Sequence, residues 1–157
     1  MTTKIIEENK IIAICRRIYG EQLENLAKAL NEGGVKLIEV TFDQADPAHL
    51  EKTGEAIRMI TEATSGEVLP GAGTVMTLEQ LRAAAAAGAK YIISPNTDEE
   101  IIKETKRLGL VSIPGAMTPS EISNAHKWGA DFVKLFPTGE LGLSYVKAIR
   151  APISHVK

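Results

Sequence analysis

Short runs of β-branched and aliphatic residues alternate along the chain with longer stretches in which apolar residues recur at helical spacing. The short runs predict six strands, each followed by a helix, at residues 11–15, 37–42, 67–71, 91–94, 111–114 and 132–136. Glycine precedes the last three strands at regular intervals, at Gly88, Gly109 and Gly129. A repeated unit of this size is typical of a parallel sheet wound with helices. We therefore predict one α/β domain of six βα units over residues 1–157.

The ends of the predicted helices carry capping signals. Asp46 precedes Pro47, which predicts an N-cap followed by proline in the first helical position. A hydroxyl residue followed three positions later by Glu or Gln predicts capping boxes at 77–80, 97–100 and 118–121. Gly33 and the three glycines named above predict a left-handed residue just after a helix. These signals place helix boundaries independently of the apolar pattern.

Two architectures fit this alternation, a doubly wound open sheet and a (β/α) barrel. No Gly-x-Gly-x-x-Gly sequence follows the first predicted strand, and no Walker-type loop occurs in the chain. The segment 71–74, Gly-Ala-Gly-Thr, matches only part of such a fingerprint, and a tight turn after the third strand explains it equally well. The missing motifs argue against the nucleotide-binding open sheets.

Two charged residues interrupt the predicted strands. Lys134 lies within the apolar run 132–137, and Glu39 lies within the run 35–42. A buried charge is costly unless it is paired or neutralised, and burial favours the neutral amine that attacks a carbonyl carbon to form a Schiff base. The two residues therefore predict a nucleophile and a proton shuttle towards the carboxyl ends of the strands. Two structural alternatives are open: a buried ion pair, and a lysine that extends from the strand end to water.

Composition and charge argue against several classes of partner. The chain is 44% hydrophobic and 24% charged, with a net charge of −2 and both signs scattered along it. It has no basic stripe for nucleic acid and no polybasic segment for a membrane surface. The amino terminus lacks the apolar core of a signal peptide, and no run of eighteen apolar residues occurs. We therefore predict a cytoplasmic protein that binds neither nucleic acid nor membrane.

The cysteine and histidine residues predict no metal site. The single Cys15 excludes an internal disulfide and leaves no cysteine-pair spacing for zinc. His49, His126 and His155 share no helical or strand spacing that would bring them together. We predict separate positions for the three histidines, on the surface or on helix faces.

Five segments occur together and in order: GGVKLIEVTF (33–42), GAGTV (71–75), ISP (93–95), IPGAMTP (113–119) and VKLFP (133–137). Together they resemble the 2-keto-3-deoxy-6-phosphogluconate (KDPG) aldolase family, which is also the 4-hydroxy-2-oxoglutarate aldolase family. The resemblance runs from Ile11 to Lys157. It implies a class I aldolase that uses no metal and no cofactor, built on a (β/α)8 TIM barrel. It also implies a homotrimer that acts on a small-molecule 2-oxo acid.

The resemblance implies roles for individual residues. Lys134 corresponds to the Schiff-base lysine, and Glu39 to the carboxylate that transfers protons to and from the carbinolamine and the enamine. Arg16 corresponds to an arginine found in part of the family, and its planar guanidinium suits the carboxylate of a 2-oxo acid. Arg17 is adjacent, so one of the two arginines could be only a surface charge. Thr74 corresponds to a threonine whose hydroxyl contacts the same carboxylate.

Four further residues correspond to the walls of the family's pocket. Pro95 and Phe136 match residues that line it, although Phe136 is also consistent with a place in the core. Gly71 and Gly73 are expected to let the backbone approach a ligand closely. Asp43 departs from the pattern, because some family members carry a substrate-binding arginine at this position. Carboxylate binding is therefore expected to depend on the arginine that follows the first strand.

The resemblance implies cleavage of KDPG to pyruvate and glyceraldehyde 3-phosphate, and of 4-hydroxy-2-oxoglutarate as well. A sibling specificity for the galactonate-derived substrate is an alternative, since the motifs concern only the pyruvyl half. A non-catalytic fragment or assembly module is another, because family members extend by roughly a further quarter, which carries two more βα units and the phosphate-binding loops. We therefore expect an open arc of six strands with Glu39 and Lys134 on its concave side.

Overall fold

The computed structural model describes residues 1–157, which form seven helices and seven strands. The helices are α1 (Thr2–Asn9), α2 (Gly20–Glu32), α3 (His49–Ala63), α4 (Leu78–Ala86), α5 (Glu99–Arg107), α6 (Pro119–Lys127) and α7 (Thr138–Arg150). The strands are β1 (Ala13–Cys15), β2 (Leu37–Thr41), β3 (Leu69–Gly73), β4 (Tyr91–Ile93), β5 (Val111–Ile113), β6 (Gly115–Ala116) and β7 (Lys134–Leu135). None of the helices combines the length and the apolar character needed to cross a membrane.

Strands and helices alternate along the chain, which confirms the predicted α/β fold of about six βα units. Strands β1 to β5 form one parallel sheet in chain order, and β6 and β7 form a separate two-stranded parallel sheet. The expected single arc of six strands is therefore wrong in one respect, because the ladder is divided. Pro114 lies at the division, between β5 and β6, and has no N–H to contribute to a ladder.

Backbone hydrogen bonds still hold the two sheets side by side. The N–H of Lys134 donates to the carbonyl of Pro114 (2.9 Å), and the N–H of Asp131 donates to the carbonyl of Ser112 (3.0 Å). The segment that carries Lys134 therefore lies next to β5 in space. The outer edges stay open, since β1 pairs only with β2 and β7 pairs only with β6.

Alternate residues of the five-stranded sheet face two separate cores. One face packs on the helices, in a large buried cluster whose strand residues include Ile38, Val40, Ala72 and Ile92. On the other face Ile6 of α1 joins a smaller cluster with Leu37, Tyr91, Ile93, Val111 and Ile113. Because Leu37, Tyr91 and Val111 each begin a strand, α1 covers the amino ends of the strands.

Strand β3 begins two residues later than the sequence predicts. The N–H of Gly66 donates to Thr61 (2.8 Å) and that of Glu67 donates to Thr64 (3.0 Å), so the turn after α3 continues through residue 67. Gly71 therefore lies inside the strand and Gly73 at its end, and not in a turn. The chain turns instead at Thr74, which has a φ of 55°.

The helix starts agree fully with the capping predictions at one of four sites, where Thr118 and Glu121 form a complete capping box. At the second site Thr77 is the N-cap and accepts from the N–H of Gln80 (3.1 Å), but the box is incomplete because Oε1 of Gln80 accepts from the N–H of Met76 (2.8 Å). Asp98 caps α5 in place of Thr97, whose hydroxyl donates instead to the carbonyl of Gly115 (2.6 Å). At the last site Asp46 is not the N-cap, since α3 begins only at His49 and Asp46 accepts from the N–H of Ala48 (2.9 Å).

The glycines after the helices follow the predicted pattern with one exception. Gly88, Gly109 and Gly129 have positive φ angles, as predicted for a residue that ends a helix. Gly33 does not, because its φ is −73° and the left-handed position falls on Gly34, with a φ of 86°.

Candidate active site

Glu39 projects from the middle of β2 into the interior of the fold. It is 3% exposed, and its carboxyl group lies over Gly73 of β3, where a Cβ atom would overlap it. No protein group hydrogen-bonds to the carboxyl or forms an ion pair with it. Burial raises the pKa of Glu39, while the positive charges of Lys134 and Arg16 act in the opposite direction. A buried carboxyl group with a raised pKa is suited to act as a general acid and base.

Lys134 begins β7 and is only half-buried, so the expectation of a fully buried amine is wrong. Its Nζ atom lies 4.7 Å from the centroid of the Phe136 ring, at the contact distance of a cation–π pair. No ion pair within 4.0 Å joins Lys134 to Glu39, which removes the buried ion pair as an alternative. The amine is thus open to a ligand and close enough to influence the charge of the carboxyl.

A cleft of about 540 Å³ opens at the carboxyl ends of the strands. It is lined by Arg16, Arg17, Thr41, Phe42, Asp43, Thr74, Pro95, Lys134 and Phe136. Five of the eight site residues predicted from sequence line this cleft. Glu39 lies below its floor, because it precedes the lining residue Thr41 by two positions on β2 and faces the same side of the sheet. A smaller apolar groove of about 190 Å³, between α6, α7 and the last residues, lies away from these groups.

The two adjacent arginines have different environments. Arg17 binds Asp43 through two hydrogen bonds, Nε to Oδ2 at 2.7 Å and Nη2 to Oδ1 at 3.2 Å. This contact lowers the pKa of Asp43. Arg16 forms no ion pair with the protein. Asp43, which stands where some family members carry an arginine, thus binds Arg17. Arg16 is the arginine that is available to an anionic ligand.

Thr74 is held in a left-handed conformation at the mouth of the cleft. Its carbonyl accepts from Nε2 of Gln44 (2.8 Å), and Oε1 of Gln44 in turn accepts from Nε2 of Gln80 (2.8 Å). A non-glycine residue with a φ of 55° costs on the order of 1 to 3 kcal/mol, and the surrounding bonds maintain it. The chain of amides therefore holds the backbone of Thr74 in place at the cleft.

A protein side chain covers each of the two glycines of β3. The ring of Tyr91 lies over Gly71, and the carboxyl of Glu39 lies over Gly73. Close packing of these side chains requires glycine at both positions. Contact between these glycines and a ligand stays a prediction. Sequence reasoning missed Tyr91, although its place at the start of a predicted strand gave a signal that it faces the same interior.

Two of the three histidines meet, so the prediction that they stay apart is wrong for this pair. The rings of His126 on α6 and His155 are 5.2 Å apart, edge to face. The chain after α7 runs back beside β7, where the N–H of Val133 donates to the carbonyl of Lys157 (2.8 Å), and this carries His155 to α6. Nowhere in the chain do three or more His, Cys, Asp or Glu residues form a group that could hold a metal ion.

Fold and site together define a parallel (β/α)-barrel protein with a lysine at its cleft and a buried carboxyl group beside it. The chain matches the family model described as "Aldolase: KDPG and KHG aldolase" over residues 2–157. The protein therefore belongs to the KDPG and KHG aldolase family, as its sequence motifs indicated.

Individual relatives agree with this assignment. A probable 2-dehydro-3-deoxy-6-phosphogalactonate aldolase of Rhizobium meliloti is 38% identical over 92% of this chain and 65% of its own length. A 2-dehydro-3-deoxy-phosphogluconate aldolase of Treponema pallidum is 34% identical over 97% of this chain and 70% of its own length. The chain thus spans about two thirds of the length of these relatives.

A solved structure supports the same relationship. The KDPG aldolase of Legionella pneumophila, crystallised with pyruvate captured at low pH as a covalent carbinolamine, superposes with a TM-score of 0.83. It is 28% identical to this chain, and the match covers 100% of this chain and 73% of that one. The likeness extends over the whole fold described above.

Proposed function

We propose that this chain is a class I aldolase in which Lys134 forms a Schiff base with the keto carbon of a pyruvyl substrate. The observation that supports this most directly is the position of the Lys134 amine, at the cleft and within the electrostatic reach of the buried Glu39 carboxyl. The covalent carbinolamine with pyruvate in the Legionella relative is consistent with the same chemistry.

The reaction starts when the neutral amine of Lys134 adds to the keto carbon and gives a carbinolamine. Glu39 protonates the departing hydroxyl, water leaves, and an iminium forms. Glu39, now a carboxylate, takes the proton of the C4 hydroxyl as the bond between C3 and C4 of the substrate breaks; the electron pair of that bond passes into the iminium to give an enamine, and the aldehyde leaves. A proton delivered to C3 of the enamine and attack of water on the new iminium release pyruvate and restore the amine.

The cleft residues bind the pyruvyl half in this proposal. Arg16 pairs with the carboxylate, because it is the cleft arginine without a protein partner. The hydroxyl of Thr74 donates to the same carboxylate, and Pro95 and Phe136 form the walls. Gly73 keeps the space in which Glu39 reaches the reacting atoms.

Two substrate classes fit this site, because its residues contact only the part that they share. One is KDPG, with 4-hydroxy-2-oxoglutarate as a smaller analogue. The other is the galactonate-derived epimer, which the name of the Rhizobium relative favours. Kinetics with both phosphorylated epimers, measured side by side on the same preparation, would separate the two. We also propose a homotrimer, which light scattering on the purified chain tests directly.

Trapping with borohydride tests the central step. Pyruvate with borohydride should add one reduced pyruvyl group per chain, and peptide mapping should place it at Lys134. Lys134→Arg should abolish the adduct, since a guanidinium stays protonated and cannot add to a carbonyl. Lys90→Arg is the matched control and should leave the adduct unchanged. An adduct at another lysine would overturn the assignment of Lys134, and no adduct in a folded sample would support the non-catalytic alternative.

A further inference from the structure

Tyr91 is a buried polar residue that the mechanism above does not use. It is 0% exposed, and its hydroxyl oxygen is buried without a hydrogen-bond partner in the protein. A buried hydroxyl is costly when it is unpaired, and phenylalanine would fill the same space without that cost. The retained hydroxyl therefore points to an interaction.

The geometry brings this hydroxyl towards Glu39. Glu39 pairs in register with Gly71 of β3, and the ring of Tyr91 crosses from β4 over the same glycine. The ring carbon Cζ, which bears the hydroxyl, is among the atoms above Gly71, while the Glu39 carboxyl lies above Gly73. Two residues along a parallel strand span about 6.6 Å. One water with two hydrogen bonds spans about 5.5 Å, which is shorter by about 1.1 Å. Oε1 of Glu39 and Cζ of Tyr91 lie 1.7 Å and 2.4 Å from the places where Cβ atoms at Gly73 and Gly71 would stand, so displacements of this size allow a single water to bridge the two polar groups.

We infer that Tyr91 is a positioning residue for Glu39, whose carboxyl accepts a hydrogen bond from an internal water that the phenol in turn binds, and is thereby held towards Lys134. The coupling between the two side chains stands on the geometry alone. Its consequence for catalysis rests on the proposed function.

The groups around Glu39 leave the phenol as the suitable neutral donor. Arg16 and Lys134 reach it from the mouth of the cleft and Tyr91 of β4 from inside, whereas Cys15 of β1 lies beside Val40 in the core on the helix side of the sheet. Burial, together with the charge of Glu39, raises the pKa of Cys15 and also that of Tyr91. Both groups therefore stay protonated at neutral pH, and a thiol is the weaker donor.

Direct titration of Glu39 tests the coupling. The chemical shift of its carboxyl carbon should be followed by NMR as a function of pH, in the wild-type protein and in Tyr91→Phe, to give the pKa of Glu39 in each. A hydrogen bond to the carboxylate favours the charged form, so its removal should raise the pKa of Glu39 by about one unit. Tyr145→Phe removes a hydroxyl that binds Met117 elsewhere and should leave the pKa unchanged. An unchanged Glu39 pKa in Tyr91→Phe would overturn the inference.

A second measurement uses the unaltered ring, in case Tyr91→Phe does not fold. The chain contains three tyrosines, so the ζ-carbon resonance of Tyr91 can be resolved after isotopic labelling. That resonance should titrate together with Glu39, and its titration should disappear in Glu39→Gln. If the chemical shift of the Tyr91 ζ-carbon does not change as Glu39 titrates, the two side chains are not coupled.

Kinetics separates this inference from the proposed function. Tyr91→Phe should slow adduct formation with pyruvate while the pyruvate concentration for half-saturation stays the same, because the phenol acts on Glu39 and not on the ligand. If the wild-type protein forms no adduct, the proposed function fails, and the NMR titrations still decide the coupling. If the adduct forms normally and the titrations show no coupling, only the role of Tyr91 is wrong.

Discussion

The Oε1 atom of Glu39 occupies the place where a side chain at Gly73 would begin. The two residues lie on neighbouring strands, and Glu39 is 3% exposed, so the carboxyl has little room to move elsewhere. The position of the Glu39 carboxyl is thus set by the absence of a side chain at Gly73 of β3 as much as by β2 itself.

Gly73→Ala should displace the Glu39 carboxyl and slow adduct formation with pyruvate by at least about tenfold, because a misplaced acid–base group loses much of its contribution. The overpacked methyl group should also lower the free energy of unfolding by about 1 to 3 kcal/mol. Gly139→Ala, where a Cβ meets open space, is the control. Equal trapping rates in both variants and the wild type would mean that Glu39 does not act in this position.

Glu39→Gln should reduce turnover and the rate of adduct formation by about two to four orders of magnitude, the usual effect of losing a general acid–base group. The amide has nearly the shape of the carboxyl, so the fold should persist, as near-ultraviolet circular dichroism can show. Normal turnover in this variant would assign Glu39 a structural role, and the proton donor would have to be sought elsewhere.

The stability of the protein should depend on pH through Glu39. Its pKa is raised from the ordinary 4.5, so the folded state binds more protons than the unfolded chain above that pH. The stabilising contribution of Glu39 is therefore fully present below pH 4.5 and is lost as the pH rises through the folded-state pKa. Glu39→Gln should gain stability relative to the wild type over that range, as urea unfolding at a series of pH values would measure.

Glu104 provides a control of opposite sign. Its hydrogen bond to Arg107 lowers the pKa of Glu104 to about 2, from the ordinary 4.5. Its contribution to stability is present above pH 4.5 and is lost as the pH falls through about 2. Glu104→Gln should therefore lose stability relative to the wild type at neutral pH. The same direction of change in both glutamine variants would contradict the assignment for Glu39.

Arg16→Ala should weaken pyruvate binding by roughly tenfold to a hundredfold, the effect of losing a charge-assisted pair of about 1.5 to 3 kcal/mol. The free energy of unfolding should change little, because the side chain is exposed and has no ion-pair partner. Arg17→Ala is the matched comparison, since it removes an equal charge whose partner is Asp43. Loss of pyruvate affinity in Arg17→Ala alone would reverse the two roles.

Features that depend on nearby residues could be predicted from the sequence. The alternation of strands and helices, the capping box at Thr118 and the left-handed glycines at 88, 109 and 129 each follow from a few neighbouring side chains. Thr97 shows that prediction from neighbouring residues fails when a distant residue competes for the same side chain. Its hydroxyl binds the carbonyl of Gly115, eighteen residues away, and Asp98 takes over as the N-cap.

The candidate site shows the same division. Lys134 and Glu39 could be found because a charge inside an apolar run is unusual at any single position. The pairing of Arg17 with Asp43, and the contact of Tyr91 with Gly71, depend on how distant segments meet. The sequence pattern alone contains no such information. The meeting of His126 and His155 has the same origin, since the path of the chain after α7 creates it.

The division of the strand ladder at Pro114 affects the local stability of the candidate site. Glu39 belongs to the five-stranded sheet, whereas Lys134 belongs to the two-stranded one. The β2 residues are all buried, whereas Lys134, Leu135 and the whole of α7 are half-buried or exposed. Local opening is easiest where burial is least, so amide protons near the lysine should exchange sooner than those near the carboxyl. Lys134 and Glu39 therefore lie in parts of unequal rigidity, and a ligand held by both Lys134 and Arg16 would join those parts into one cooperative unit.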